Sequence, residues 1–316
     1  MNVAHHFFGR HSLLFTFGVT ISSAVESYGT AGIEEVRRGA SGNPVVNAGA
    51  EGYMMRLGVI TASWVYKLSG YDATTDWGVA QGRFEESWRP EDLDDLLGTV
   101  KSLGFGCVEL WRATAGFERW EEEQLSAARS SFERHGLELT SYCVGGIEPN
   151  SDIEGLFAYG HALGAPMCTG YISNEGLDGL TGRLAEVTEK YGMPYGIENH
   201  GPKYSVADPE DILKLAQRYP GRLGACPDTG IYYRGGVDAL AAVETLKEVV
   251  IHTHLKDVDD TGQCAVGEGK VPMAEIITVL RDSGYSGVYS VEREGAGDPA
   301  PLLERSAAFI RSVLSS

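Results

Sequence analysis

Long apolar runs are absent from this chain: none reaches the roughly eighteen residues that a membrane-spanning helix needs. Cysteine is sparse, with five residues (Cys107, Cys143, Cys168, Cys226 and Cys264), odd in number and without C-x-x-C spacing. That pattern indicates neither a disulfide framework nor a structural zinc site, and the four in apolar runs read as small reduced hydrophobes. Positive charge is scarce, 26 Lys and Arg against 44 Asp and Glu, giving a formal net charge of -18. The whole-molecule field therefore repels polyanions, and no Lys- or Arg-rich stripe offers a nucleic-acid footprint. No G-x-G-x-x-G turn follows the first apolar run, so the usual mark of a dinucleotide site is missing too.

What is present is an ordinary globular composition, 43% hydrophobic over 316 residues, enough for a sizeable core. Residues 1–54 stand apart. "RHSLLFTFGVTISSA" pairs a basic residue and an apolar stretch with Ser22 and Ala24 in cleavage-like spacing, and the Gly- and Ala-rich stretch after it has no periodicity. We expect 1–54 to be an extension, disordered or artefactual, with translation starting at Met54 or Met55 in preference to a secreted form. Residues 55–316 are then one catalytic domain, and the expected location is cytoplasmic.

From Met55 onward, eight short apolar runs alternate with helix-period segments. The runs are 56–62, 106–111, 137–144, 166–172, 194–199, 222–228, 249–255 and 287–292. Several are apolar on both faces, as a parallel sheet covered on both sides requires. The segments between them carry start and stop signals: Pro90 with acids in the first turn, and Gly104, Gly136, Gly164 and Gly192 where a left-handed cap ends a helix. Eight strand-plus-helix units of this size predict an α/β fold, a (β/α)8 TIM barrel of about 250 residues, with a doubly wound open sheet as the alternative.

Active sites of such barrels form at the C-terminal strand ends. Four consecutive runs close in polar residues there: "GIENHG" with Glu198 and His200, "ACPDTG" with Asp228, "IHTHLKD" with His252, His254 and Lys256, and "SVERE" with Glu292 and Glu294. Alternation puts each same-strand set on one face. Three acids converging in a dry lumen repel one another unless a cation sits among them. Oxygen and imidazole donors without thiolate suit Mn²⁺, Mg²⁺, Co²⁺ or Zn²⁺.

The runs "VELW", "IENHG", "PDTG", "HTHLKD", "GEGKV" and "VEREG" resemble, in order and spacing, the xylose isomerase-like TIM barrels, the sugar phosphate isomerase/epimerase family, from about Arg56 to Val313. The resemblance implies a metal set of Glu198, Asp228, His254 and Glu292, with Mn²⁺ the first choice, and substrate contacts at Glu109 and His200. One position departs: members similar to tagatose or psicose epimerases have His three residues after the metal Asp, where this chain has Ile231.

The implied activity is a metal-dependent sugar or cyclitol isomerase or epimerase. It would abstract a proton next to a carbonyl through a metal-bound enediolate, with Glu198 and Glu292 as the two bases. His252 or His200 is the expected additional acid/base should a β-substituent leave, and Lys256 a substrate-binding or ion-paired residue. The alternative is a lyase on the same barrel, an inosose-type dehydratase or a C-glycoside deglycosidase subunit acting on a keto sugar. The long first βα loop, with Trp64, Tyr66, Tyr71, Trp77 and Trp88, reads as an aromatic wall over the ligand, Trp64 contacting substrate. "VGEGKVP" looks like a phosphate cradle but lacks the spacing of one, and is expected only to turn the chain into a helix. The partners expected are a small carbohydrate and a further copy of the chain or a small subunit, with no nucleic acid and no membrane.

Overall fold

The computed structural model describes residues 56–316 except 117, 203 and 204; the expectations for 1–54 lie outside the described residues. Seven strands run parallel in one sheet. They are β1 (Leu57–Ile60), β2 (Cys107–Trp111), β3 (Glu138–Ile147), β4 (Cys168–Ile172), β5 (Tyr195–Glu198), β6 (Leu223–Cys226) and, near the C-terminus, β9 (Tyr289–Val291). Their spatial order is β6-β5-β4-β3-β2-β1-β9. β1, with every residue of its LGVI buried, pairs with β2 through Val59 and Val108 and with β9 through Val59 and Val291.

The seventh expected strand is less regular than its sequence suggested. Residues 249–255 join both free edges of the sheet by single bridges, Val250 to Ala225, His254 to Asp228 and Leu255 to Val291, so the barrel closes. Two interactions account for the irregularity. On the β9 side Thr253 Oγ1 donates to Val288 O at 2.9 Å and accepts from Ser290 N at 3.2 Å, so a side chain takes the place of ladder bonds. On the β6 side Ile251 lies so close that a Cβ at Gly224 would meet its Cγ2 at 2.7 Å, a close approach only glycine permits.

Helices cover the outside: α2 (Pro90–Ser102), α3 (Glu122–His135), α4 (Ile153–Leu163), α5 (Leu177–Tyr191), α6 (Pro209–Arg218), α8 (Ala239–Leu246), α9 (Met273–Asp282) and α10 (Ala300–Leu314). α2 begins on Pro90, with the Asp92 side chain reaching back to accept from Arg89 N at 3.0 Å, the half of a capping box that an arginine N-cap permits. α3, α4 and α5 end on Gly136, Gly164 and Gly192, each left-handed. Two further helices were not expected. α1 (Trp77–Ser87) lies within the presumed first loop, and α7 (Thr229–Arg234) follows β6 at once. A small antiparallel pair, β7 (Asp257–Val258) and β8 (Gln263–Cys264), follows the seventh barrel segment.

Cys107, Cys143, Cys168 and Cys226 are buried as expected, and burial pushes the thiols of Cys107 to about 11 and Cys226 to about 12. Among the described residues no helix is long and apolar enough to cross a membrane.

Candidate metal centre

The C-terminal ends of β5, β6, the 249–255 segment and β9 bring Glu198, Asp228, His254 and Glu292 together, one donor atom of each lying within 4.8 Å of the others. Each donor is aimed by its neighbours. Asp228 is the N-cap of α7: its Oδ1 accepts from Ile231 N at 2.8 Å, leaving Oδ2 for the cluster. Asn199 grips the Asp228 backbone from both sides, donating to its O at 3.0 Å and accepting from its N at 2.7 Å. This clamp, next to Glu198 in sequence, was missed by reading strand-end acids and histidines alone.

His254 is oriented from below. Its Nε2 lies 2.8 Å from Glu109 Oε2, so the network assigns the Nε2 proton to that bond and turns Nδ1 toward the cluster. Nδ1 is 3.3 Å from Glu198 Oε1 and 3.2 Å from Glu292 Oε2. Three buried atoms, His254 Nδ1, Asp228 Oδ2 and Glu292 Oε2, have ion-pair neighbours at 2.7 to 3.3 Å but no fully directed hydrogen bond. Buried polar atoms are rarely left so, and these three converge. A hard to borderline divalent cation taking carboxylate oxygens and one imidazole fits the donor set.

The electrostatics agree. Burial pushes the Glu292 carboxyl well above the usual range, against Lys256 and His254. Burial also pulls the His254 imidazole down, but Cys226 and the carboxylates of Glu109, Glu292 and Glu198 hold it well above its ordinary value. Asp228, raised by burial, is brought below its ordinary value by Lys256. The pocket attracts positive charge.

Two expected site residues lie deeper than their assigned roles. Glu109, expected to touch substrate, is fully buried beneath the cluster, held by Thr169 Oγ1 and by both imidazoles; burial raises its carboxyl, and His252 and His254 bring it well below the usual range. His252, expected as an acid/base, is 1% exposed with Nε2 2.9 Å from the same Glu109 oxygen. The reason is depth along the strand: His252 is two residues earlier than His254 on one face, hence lower in the barrel.

Above the cluster opens a cavity of about 500 Å³ whose lining includes Glu198 and Glu292, Lys256, His200, Trp77 and Trp111. Of the four donors only the two glutamates reach it. His200 packs on Tyr171, ring centroids 4.4 Å apart. Trp64, expected over the ligand, is 2% exposed and packed in the core. The aromatic wall is instead Trp77 on α1, tilted against Trp111 at 5.8 Å. Glu294 also lines the cavity and takes Lys256 Nζ at 3.0 Å. The glycine-rich "VGEGKVP" loop is closed to anions. Asp257, 1% exposed, fills it, accepting from Val258 N, Gly267 N, Gly269 N and Val271 N at 2.8 to 3.1 Å.

Residues 97–313 match the model of the xylose isomerase-like TIM barrel family, and the chain belongs to that family. An uncharacterized protein of Methanocaldococcus jannaschii is 30% identical over 138 residues, 41% of this chain and 47% of that one; the match thus spans about half the length of this curated relative. Among solved structures, D-psicose 3-epimerase of Clostridium cellulolyticum is similar at TM-score 0.62 and 16% identity, over 82% of this chain and 99% of that one. The probable 3-DHS dehydratase of Bacillus anthracis aligns at 0.60 and 17% over 81% and 99%, and the 3-keto-D-glucoside 4-epimerase of E. coli at 0.56 and 17% over 82% and 99%. At these identities the likeness is one of fold.

Proposed function

We propose that the protein is a divalent-metal-dependent isomerase or epimerase of a sugar or cyclitol. The observation that carries this reading is that Glu198 and Glu292, alone of the four donors, face the cavity, and do so from β5 and β9, which are not neighbours in the barrel. Glu198, Asp228, His254 and Glu292 would hold the ion, Mn²⁺ in first place. The ion, when bound, supplies an electrophile for the carbonyl and hydroxyl oxygens of the substrate.

The chain's own residues do the rest. A carbon beside the carbonyl, lying on the cavity floor, has one carboxylate on each side. One takes the proton and the other returns it to the opposite face, which inverts that carbon; return to the adjacent carbon, with the neighbouring hydroxyl proton passing to the former carbonyl oxygen, moves the carbonyl. Trp77 and Trp111 cover the C–H faces and keep water out. His252 acts through Glu109 as an orienting residue, and His200 at the mouth binds hydroxyls.

Structural neighbours named as epimerases support this reading at the level of fold. The lyase reading is favoured by one observation, that His200 lines the cavity on a ring stack where it could protonate a departing hydroxyl. Incubating the Mn²⁺-loaded protein in D₂O with a panel of ketoses and inososes, followed by NMR, separates them. Deuterium beside the carbonyl with an epimer or isomer supports the proposal. Loss of water supports the lyase, and no exchange in any substrate rejects both.

A further inference from the structure

We propose that Lys256 is a displaceable internal cation, whose ammonium holds the ligand carboxylates together in the metal-free protein and withdraws onto Glu294 when a divalent ion enters. The inference rests on the four-residue ligand set and not on the sugar chemistry.

Lys256 is 2% exposed. Its Nζ lies 2.7 Å from Asp228 Oδ2, 3.2 Å from Glu292 Oε2 and 3.0 Å from Glu294 Oε2. The first two oxygens belong to the ligand set, and the third does not. Carboxylates brought this close in a water-poor lumen repel one another when ionised, and His254 and Lys256 are the two side chains in contact that offset them.

The three contacts are unequal. Glu294 Oε2 accepts a well-directed hydrogen bond from Nζ at 3.0 Å, Asp228 Oδ2 is the nearest carboxylate oxygen at 2.7 Å, and Glu292 Oε2 is the farthest at 3.2 Å. The ammonium is therefore shared between the ligand set and a carboxylate outside it, so a second seat on Glu294 is already made when a cation competes for Asp228 and Glu292. Glu294 is fixed as a seat, its backbone N donating to Gln263 Oε1 at 2.6 Å. Motion is confined to the lysine stem, because Thr229 Oγ1 pins the backbone on both sides of residue 256, accepting from its N at 3.0 Å and donating to its O at 2.8 Å. The stem passes over Gly230, where an added Cβ would meet Lys256 Cγ at 2.7 Å.

A lysine that only binds substrate would leave metal affinity to the four ligands. A displaceable cation makes that affinity depend on the quality of its second seat. Glu294→Asp keeps the charge but retracts the carboxylate by one methylene. We expect Mn²⁺ affinity, measured by titration calorimetry on chelator-stripped protein, to fall about tenfold, the scale seen when groups behind a metal ligand are altered. Lys256→Met should bind Mn²⁺ more tightly than the parent, while its stripped form melts lower, so that the melting gap between stripped and loaded protein widens. Unchanged or tighter Mn²⁺ binding by Glu294→Asp overturns the proposal. A Lys256→Met protein whose stripped form melts like the parent's overturns it too. If Lys256→Met fails to fold, Glu294→Asp decides alone. A parent that binds no Mn²⁺ rejects this inference together with the metal centre, whereas these affinity shifts in a protein that exchanges no sugar proton would reject only the proposed activity.

Discussion

Glu109 Oε2 lies 2.8 Å from His254 Nε2, on the side of the imidazole turned away from the ligand cluster. The bond fixes the ring's direction, and it ties a residue with no access to the cavity to the candidate metal centre. Glu109→Gln keeps the shape but weakens the acceptor. We expect Mn²⁺ affinity to fall about 10- to 100-fold with the fold intact by circular dichroism. An affinity equal to the parent's would remove Glu109 from the centre.

Stripping the metal should lower the melting temperature. At a free ion concentration a hundred times its dissociation constant, binding stabilises by about 2.7 kcal/mol, which for a domain of this size is about 5–10 °C. Differential scanning with EDTA and then with excess Mn²⁺ measures it. A melting point indifferent to both would contradict a folded-state metal site.

Asn199 holds the Asp228 backbone with two buried hydrogen bonds. Asn199→Leu leaves the buried Asp228 N–H without a partner, a loss worth about 1–3 kcal/mol, while its C=O keeps the bond from Tyr232 N at 3.2 Å. Urea unfolding should show a loss in that range, and Mn²⁺ binding should weaken because Asp228 loses its bearing. Stability equal to the parent's would mean the clamp is not formed.

Asp94 joins α2 to α3, accepting from Ser131 Oγ and lying 2.9 Å from His135 Nε2. The Ser131 hydroxyl first, then His135 and Arg134, lower its carboxyl below the ordinary aspartate value of 3.8. A carboxyl lowered on folding stabilises fully above its unfolded value, and that contribution fades as pH falls through the folded one. Asp94→Asn should therefore cost about 1 kcal/mol at neutral pH, with the gap steady down to pH 5 and closing below 3.8. A gap of constant size across that range would show that charge has no part in it.

The barrel and the convergence of Glu198, Asp228, His254 and Glu292 were legible because apolar runs of strand length ended in these residues, types that a cation needs. Depth was not legible. Alternation assigns His252 and His254 to the same face but does not say that the first lies at the level of Glu109 and the second at the cavity floor. α1 was hidden by Gly78 and Gly82 within an aromatic-rich stretch that reads as loop. α7 was hidden because "DTG" looks like a turn, although its aspartate is the helix's own cap. The uneven pairing of 249–255 depends on Thr253 replacing backbone bonds, which no periodicity reveals.

Asp257 places both carboxylate oxygens where four backbone amides converge. Backbone N–H groups gathered in this way form a ready anion receptor, and here the chain occupies the receptor with its own side chain. The loop before α9 is thus a self-liganded nest. Shortening residue 257 would vacate it, and the barrel would gain a place for an inorganic anion without any change to the cluster of Glu198, Asp228, His254 and Glu292.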